Sequence, residues 1–160
     1  MRLALIGVGR LKAGLERDLF ARYFKRLGDL ARPLGFHGVS LSELDEGRAP
    51  RAADRQAEEA RAIGAAIPKG ARLIVLDERG EALTSRQFAA DIAKARDNAV
   101  SAYAIVIGGA DGLVPALRDS ADKIVSFGAM TWPHQLMRVM AAEQLYRALS
   151  ILAGHPYHRG

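Results

Sequence analysis

Three short segments carry residue types that hold small molecules. Gly108-Gly109-Ala110-Asp111-Gly112 follows an apolar run, and glycines at such a place let backbone approach a ligand with no Cβ between them. Asp77 and Glu78 end a second apolar run, and Ser126 to Trp132 leaves a third through Gly128 and Ala129 into Met130, Thr131 and Trp132. The small residues open the backbone, while Met130 and Trp132 offer an apolar surface to a flat ring. Each has a plainer reading: a tight strand-to-helix turn for the glycines, and packing at the head of a helix for Trp132. A fourth group lies further along. Glu143 and Arg147 have the i,i+4 spacing of an ion pair on one helix face, ordinarily a solvated pair. His155-Pro-Tyr-His-Arg159 sets imidazole, phenol and guanidinium on a tail that Pro156 keeps out of a helix. Such a tail suits stacking on a base and touching phosphate, with a frayed terminus as the bland counterpart.

Other chemistries are excluded by what is missing. The dinucleotide spacing G-x-G-x-x-G, the phosphate loop G-x-x-x-x-G-K-[ST] and the nucleophile elbow G-x-S-x-G do not occur. His155 and His158 lack a third and fourth zinc ligand, so no metal is expected. The chain has 0 Cys, which removes disulfides, iron–sulfur clusters and a thiol nucleophile. Lys plus Arg is 23 against 18 Asp plus Glu, a net charge of +5 that leans toward an anionic partner such as nucleic acid. The uncharged stretches between Asp97 and Asp111 and between Lys123 and Arg138 are shorter than the roughly 18 apolar residues of a membrane span. With no signal-peptide pattern at the start, the expectation is a soluble cytoplasmic protein without membrane contact.

The elements that must position these residues follow from apolar periodicity. Leu3–Val8 reads as a buried strand and 14–30 as a helix with Leu15, Leu19, Phe20, Tyr23, Phe24, Leu27 and Leu30 at helical spacing. A strand is expected over 34–41, a mobile loop over 42–50, a helix over 51–67 and a strand over 72–77. Thr84 and Gln87 have capping-box spacing, predicting a helix from there to about Asn98. A strand over 102–107, a short helix around 114–118, a strand over 123–127 and a helix from Pro133 to about Ala153 complete the chain. Strands alternating with helices imply an α/β fold with a largely parallel sheet, and 160 residues without a linker or repeat imply one domain.

Leu136, Met137, Val139, Met140, Leu145, Tyr146, Leu149, Ile151 and Leu152 spread around much of the last helix. That pattern fits a helix buried on two sides, either by a second copy in a homodimer, with Leu149 at the interface, or as the central helix of a monomer.

The segments Leu76–Ser85, Val106–Leu113, Met130–Arg138, Glu143–Arg147 and Gly154–Arg159 resemble, in order and spacing, the ribosomal large-subunit pseudouridine methyltransferase H family of the SPOUT class. The resemblance covers essentially the whole chain. It implies a SPOUT-type parallel-sheet fold with a C-terminal trefoil knot, which general topology rules would never suggest. It also implies a homodimer whose interface helps build the site. The implied activity is transfer of a methyl group from S-adenosylmethionine to N3 of a pseudouridine in 23S rRNA, with the ribosome as partner. Another rRNA or tRNA base is the alternative substrate, and a non-catalytic ribosome-binding protein is the alternative role.

By the same resemblance, cofactor contacts are expected at Leu76, Gly108, Phe127, Gly128, Ala129, Met130, Thr131 and Trp132, mainly through backbone. Gly128 and Ala129 stand where the family often has Ser and Lys, so any Lys contact to RNA is missing. Trp132 stands where Leu or Phe is more usual, and keeps the ring surface. Glu143, Arg147, Tyr157 and His158 are the expected catalytic group, with His158 or Tyr157 near the base. Arg159, Tyr157 and His155 are the expected RNA contacts.

Overall fold

The computed structural model describes residues 1–159; the last residue of the expected tail, Gly160, lies outside them. Its framework is β1 (Arg2–Val8), α1 (Leu15–Ala31), β2 (Val39–Leu44), α2 (Ala52–Ala66), β3 (Ala71–Ala82), α3 (Ser85–Asp97), β4 (Ala102–Ile107), α4 (Pro115–Asp119), β5 (Lys123–Ser126) and α5 (His134–Leu152). The five strands form one sheet of order β2-β1-β4-β3-β5, every pair parallel. Parallel strands buried on both faces read as continuous apolar runs, as β1 and β4 do. Alternate residues go to opposite faces. Leu3, Leu5, Ile74, Leu76, Tyr103, Ile105 and Ile107 pack with Phe20, Phe88, Ile92, Leu145 and Leu149 from α1, α3 and α5. Ala4, Ile6, Val8, Val75 and Val106 pack with Ile63 of α2 and Leu117 of α4.

The order β4-β3-β5 sets three strand ends side by side, so the chain leaving Leu76, Ile107 and Ser126 emerges at one place. β3 is longer than its apolar run. It pairs with β5 through Leu76↔Val125, steps outward over Asp77–Gly80, and returns to pair through Glu81↔Val125 and Ala82↔Ser126. Gly80 makes the return possible, because a Cβ there would lie 2.7 Å from the backbone of Ile124 and Val125. Thr84 caps α3 as its spacing predicts, accepting from the Gln87 N–H at 3.2 Å while Gln87 Oε1 accepts from the Thr84 N–H at 2.8 Å.

Two expectations require correction. Residues 34–41 are not the second strand; Arg32–Leu34 is a 3-10 turn, Phe36 is buried from a loop, and β2 covers Val39–Leu44, taking 42–44 out of the expected loop. Residues 45–50 have no regular structure but are tied to α2, Gly47 N–H donating to Glu59 at 2.9 Å and Arg48 N–H to Glu58 at 2.9 Å. The apolar girdle of α5 is covered from within its own chain by α1, α3 and the sheet, and Leu149 is 0% exposed. Leu149 therefore belongs to the core and cannot lie at an interface. The apolar residues left on this side of the molecule are Leu15, Leu19 and Leu136.

Candidate active site

The three emerging loops enclose one cavity of about 900 Å³. Leu76, Gly108, Phe127, Gly128, Met130, Thr131 and Trp132 line it as expected; Ala129, also expected there, is exposed and outside the lining. The walls combine glycine and apolar residues with the polar side chains of Gln56, Asp77, Glu78, Arg118 and His134. A Cβ on Gly108 would sit 2.9 Å from Leu113 Cγ, so no side chain fits between that loop and its own return. Gly128 has φ of 123°, a conformation that L side chains rarely adopt, which accounts for glycine where a serine was the family expectation. Met130 and Trp132 are exposed at the mouth, at 75% and 41%, and are apolar surfaces still without a partner.

Polar groups brace the loops. Asp77 accepts from the Arg79 backbone N–H at 3.0 Å and pairs with Arg118 at 3.3 Å. Burial pushes its carboxyl upward, but those hydrogen bonds outweigh it and leave the pKa below the ordinary value. Arg55 of α2 donates to both carboxylate oxygens of Asp111, at 2.7 and 3.1 Å, and to the carbonyls of Ala49 and Pro50. This fork ties 49–50 to the glycine loop, and its hydrogen bonds hold the Asp111 pKa down. The Thr131 hydroxyl donates to Glu78 Oε2 at 3.1 Å, joining the β3 and β5 loops across the mouth. Buried Arg138 fixes the first turns of α5 against β1 and β2, donating to Glu43 at 2.7 Å and to the carbonyls of Val8 and Gly9 at 2.9 and 2.8 Å.

Glu143, Arg147, Tyr157 and His158 come together elsewhere, on the outer turns of α5. Arg147 donates through Nε and Nη2 to Glu143 Oε1, at 3.0 and 2.6 Å, and the Tyr157 hydroxyl donates to the same oxygen at 2.9 Å. Arg147 Nη1 lies 3.5 Å from His158 Nδ1. Burial, followed by hydrogen bonds with Tyr23 and Glu143, pushes the Tyr157 phenol well above its ordinary value, so it stays protonated. The Glu143 hydrogen bond holds the Arg147 guanidinium charged. His155 is exposed and its Nδ1 accepts from the Tyr157 N–H at 3.2 Å; Arg159 is exposed.

From Met137 in the cavity wall to Arg147 is ten residues of helix, about 15 Å at 1.5 Å per residue. Cavity and cluster are thus separate within one chain. Glu143 does line a second, smaller hollow of about 660 Å³ with Leu19, Tyr23, Met140 and Phe127, and Phe127 borders both hollows. Sequence reasoning missed Arg26 and Tyr146, which flank the Tyr157 ring, and the Arg55–Asp111 fork. Tyr23 and Arg26, one helical turn apart on α1, were the available signal for a polar aromatic face.

Comparison with known proteins agrees with this architecture. Residues 1–158 match the family described as "Predicted SPOUT methyltransferase". A protein of Rhodopseudomonas palustris (strain HaA2) named Ribosomal RNA large subunit methyltransferase H is 55% identical over 159 residues, 99% of each chain. Its namesake from Xanthobacter autotrophicus (strain ATCC BAA-1158 / Py2) is 56% identical, again over 99% of each. Among solved structures, "Probable Methyltransferase from Bordetella pertussis Tohama I" shares the fold with a TM-score of 0.52 at 17% identity, covering 92% of this chain and 93% of that one. With a full-length match to the family and relatives well above half identical, this chain belongs to the SPOUT methyltransferases, in the group that carries the large-subunit methyltransferase H name.

Proposed function

We propose that the protein transfers a methyl group from S-adenosylmethionine to N3 of a pseudouridine in 23S rRNA of the large ribosomal subunit. The observation that carries this reading is the meeting of three backbone-rich strand-end loops on one cavity, in a chain more than half identical to proteins named for large-subunit rRNA methylation. The cavity fits the cofactor: it has the volume of a cofactor site, apolar faces at Met130 and Trp132 for a ring, and a wall at Gly108 that carries no side chain. Leu76, Gly108, Phe127, Gly128, Met130, Thr131 and Trp132 would hold it, and its sulfonium would supply an electrophilic methyl group.

The chain's remaining task is to align the base and ease loss of the N3 proton. Arg147 has donors and no acceptor atom, so where its Nη1 approaches His158 Nδ1 at 3.5 Å the ring nitrogen is the accepting side. Tyr157 spends its hydroxyl proton on Glu143. With Arg147 and Tyr157 both engaged by the Glu143 carboxylate, the groups left to meet the uracil ring as negative charge develops on N3 and its flanking oxygens are His158 and the exposed cation Arg159. Arg159 and His155 are placed to meet phosphate.

A tail from one copy working over the cavity of another is supported by the cavity lining, which includes none of Glu143, Arg147, Tyr157 and His158. We therefore read the protein as a homodimer, with the exposed Leu19 at the rim of the second hollow, and Leu15 and Leu136, supplying apolar contact. Residues 1–160 act as one domain. A C-terminal knot is part of this reading and rests on membership of the SPOUT family. A ribosome substrate implies a cytoplasmic site of action. Among the described residues no helix is long and apolar enough to cross a membrane. The test is labelled methyl transfer to ribosomes from a strain lacking the modification, mapped by mass spectrometry. One methyl on a large-subunit pseudouridine is expected; a methyl on another base, or none, contradicts the reading.

A further inference from the structure

The tail is held against the body by its one aromatic ring. Tyr157 packs on Tyr146 with centroids 4.7 Å apart, and the Arg147 guanidinium lies 4.8 Å from its centroid. Arg147 is already engaged with Glu143. The remaining wall comes from α1, where Arg26 Cζ lies 5.0 Å from the Tyr146 centroid and 5.8 Å from that of Tyr157. Lys25 beside it pairs with Asp29, whereas Arg26 has no carboxylate within ion-pair range among the described residues. An exposed guanidinium that spans two rings and engages no acid among the described residues is placed by those rings, and it holds them in turn.

We propose that Arg26 is a positioning residue for methyl transfer: it clamps Tyr157, and through Tyr157 fixes where His158 and Arg159 stand. This rests on reading the tail as the element that engages substrate. Tyr157 bonds Glu143 Oε1 only while its ring stays in this box, and the same oxygen orients Arg147. Without Arg26 the ring keeps Arg147 and Tyr146 at its sides and Tyr23 and Glu143 at its hydroxyl, but loses the exposed cation that bridges it to Tyr146, so the tail samples undocked positions and fewer encounters find its groups aligned.

The test compares full-length Arg26→Ala and Arg26→Lys with a chain lacking 157–160, each with saturating S-adenosylmethionine and ribosomes lacking the modification. The readouts are kcat and KM for ribosomes and, for the two full-length variants against wild type, hydrogen exchange of the 157–159 amides. Arg26→Ala should exchange faster in the tail and lose about fivefold in kcat, the size of two exposed cation–ring contacts, with melting temperature and cofactor affinity unchanged. Arg26→Lys, which keeps charge without the planar face, should fall between. Wild-type kcat with wild-type tail exchange in Arg26→Ala overturns the proposal, as does a rise in KM alone, which would make Arg26 a phosphate contact. Wild-type transfer by the chain lacking 157–160 removes the tail reading itself, and the role of Arg26 with it.

Discussion

Around the strand-end cavity the chain presents backbone, glycine and apolar surface, and its charged groups there are turned to one another: Asp77 to Arg118, Asp111 to Arg55. Around Tyr157 the reverse holds. Nearly every contact is made by the tip of a long side chain, and one carboxylate oxygen of Glu143 receives bonds from Arg147 and Tyr157 together. The first region is a space that must stay empty of protein, so adding atoms damages it. The second is a set of tips that must meet, so removing atoms damages it.

The largest effect should come from overpacking the glycine loop that borders the cavity. Gly108→Val places a branched side chain where even a Cβ lies 2.9 Å from Leu113 Cγ. Overpacking of this kind should lower S-adenosylmethionine affinity by about a hundredfold or more, read by calorimetric titration, while circular dichroism shows a folded protein. Wild-type affinity in the folded variant would break the comparison at its first half.

Deleting 157–160 should do the opposite. Cofactor affinity stays near normal, and methyl transfer falls on the order of a hundredfold, the lower range for lost acid–base and hydrogen-bonding groups. Loss of cofactor affinity in this variant would merge the two regions into one.

A third contrast lies on α5 and its neighbours. Leu149, at 0% exposure, should not tolerate Leu149→Arg, which buries an unpaired charge and lowers the melting temperature steeply. Leu136, at 39%, should tolerate Leu136→Arg as a fold while sedimentation shows weaker self-association. An unchanged dimer would put the interface elsewhere.

The smallest effect is with pH. The folded pKa of Tyr157 is raised above the ordinary 10.0 by burial and its hydrogen bonds, so tail docking contributes stability fully below that value. The contribution is lost as pH rises above 10.0 toward the folded value. The melting temperature should therefore fall more steeply above this point in the wild type than in Tyr157→Phe; parallel curves would contradict it.

The two regions also differed in how readily sequence disclosed them. Buried strands such as β1 and β4 declare themselves by apolar runs, and capping at Thr84 is a local exchange between residues three apart. The strand ends, and hence the cavity, followed from those runs. β2 was misplaced because Leu34 and Phe36 pack on or in the core from a turn and a loop, where alternation mimics a strand. The extension of β3 past Asp77 was hidden because its polar residues pair again only through long-range contact with β5. Glu143 and Arg147 were legible as helix neighbours, but only α1 packing on α5 brings Tyr23 and Arg26 to the tail. The covered girdle of α5 shows the same limit, since periodicity reveals that a face is buried and not by which chain.

The central claim is that a cavity from one copy and a tail from another make one working site. Mixing Gly108→Val chains with chains lacking 157–160, after denaturation and joint refolding, tests it directly. Each mixed dimer would contain one intact pairing, and random assortment of a dimer should restore about a quarter of wild-type methyl transfer to ribosomes. A mixture no more active than the two variants measured separately would contradict the claim, and would place cavity and tail of each site within a single chain.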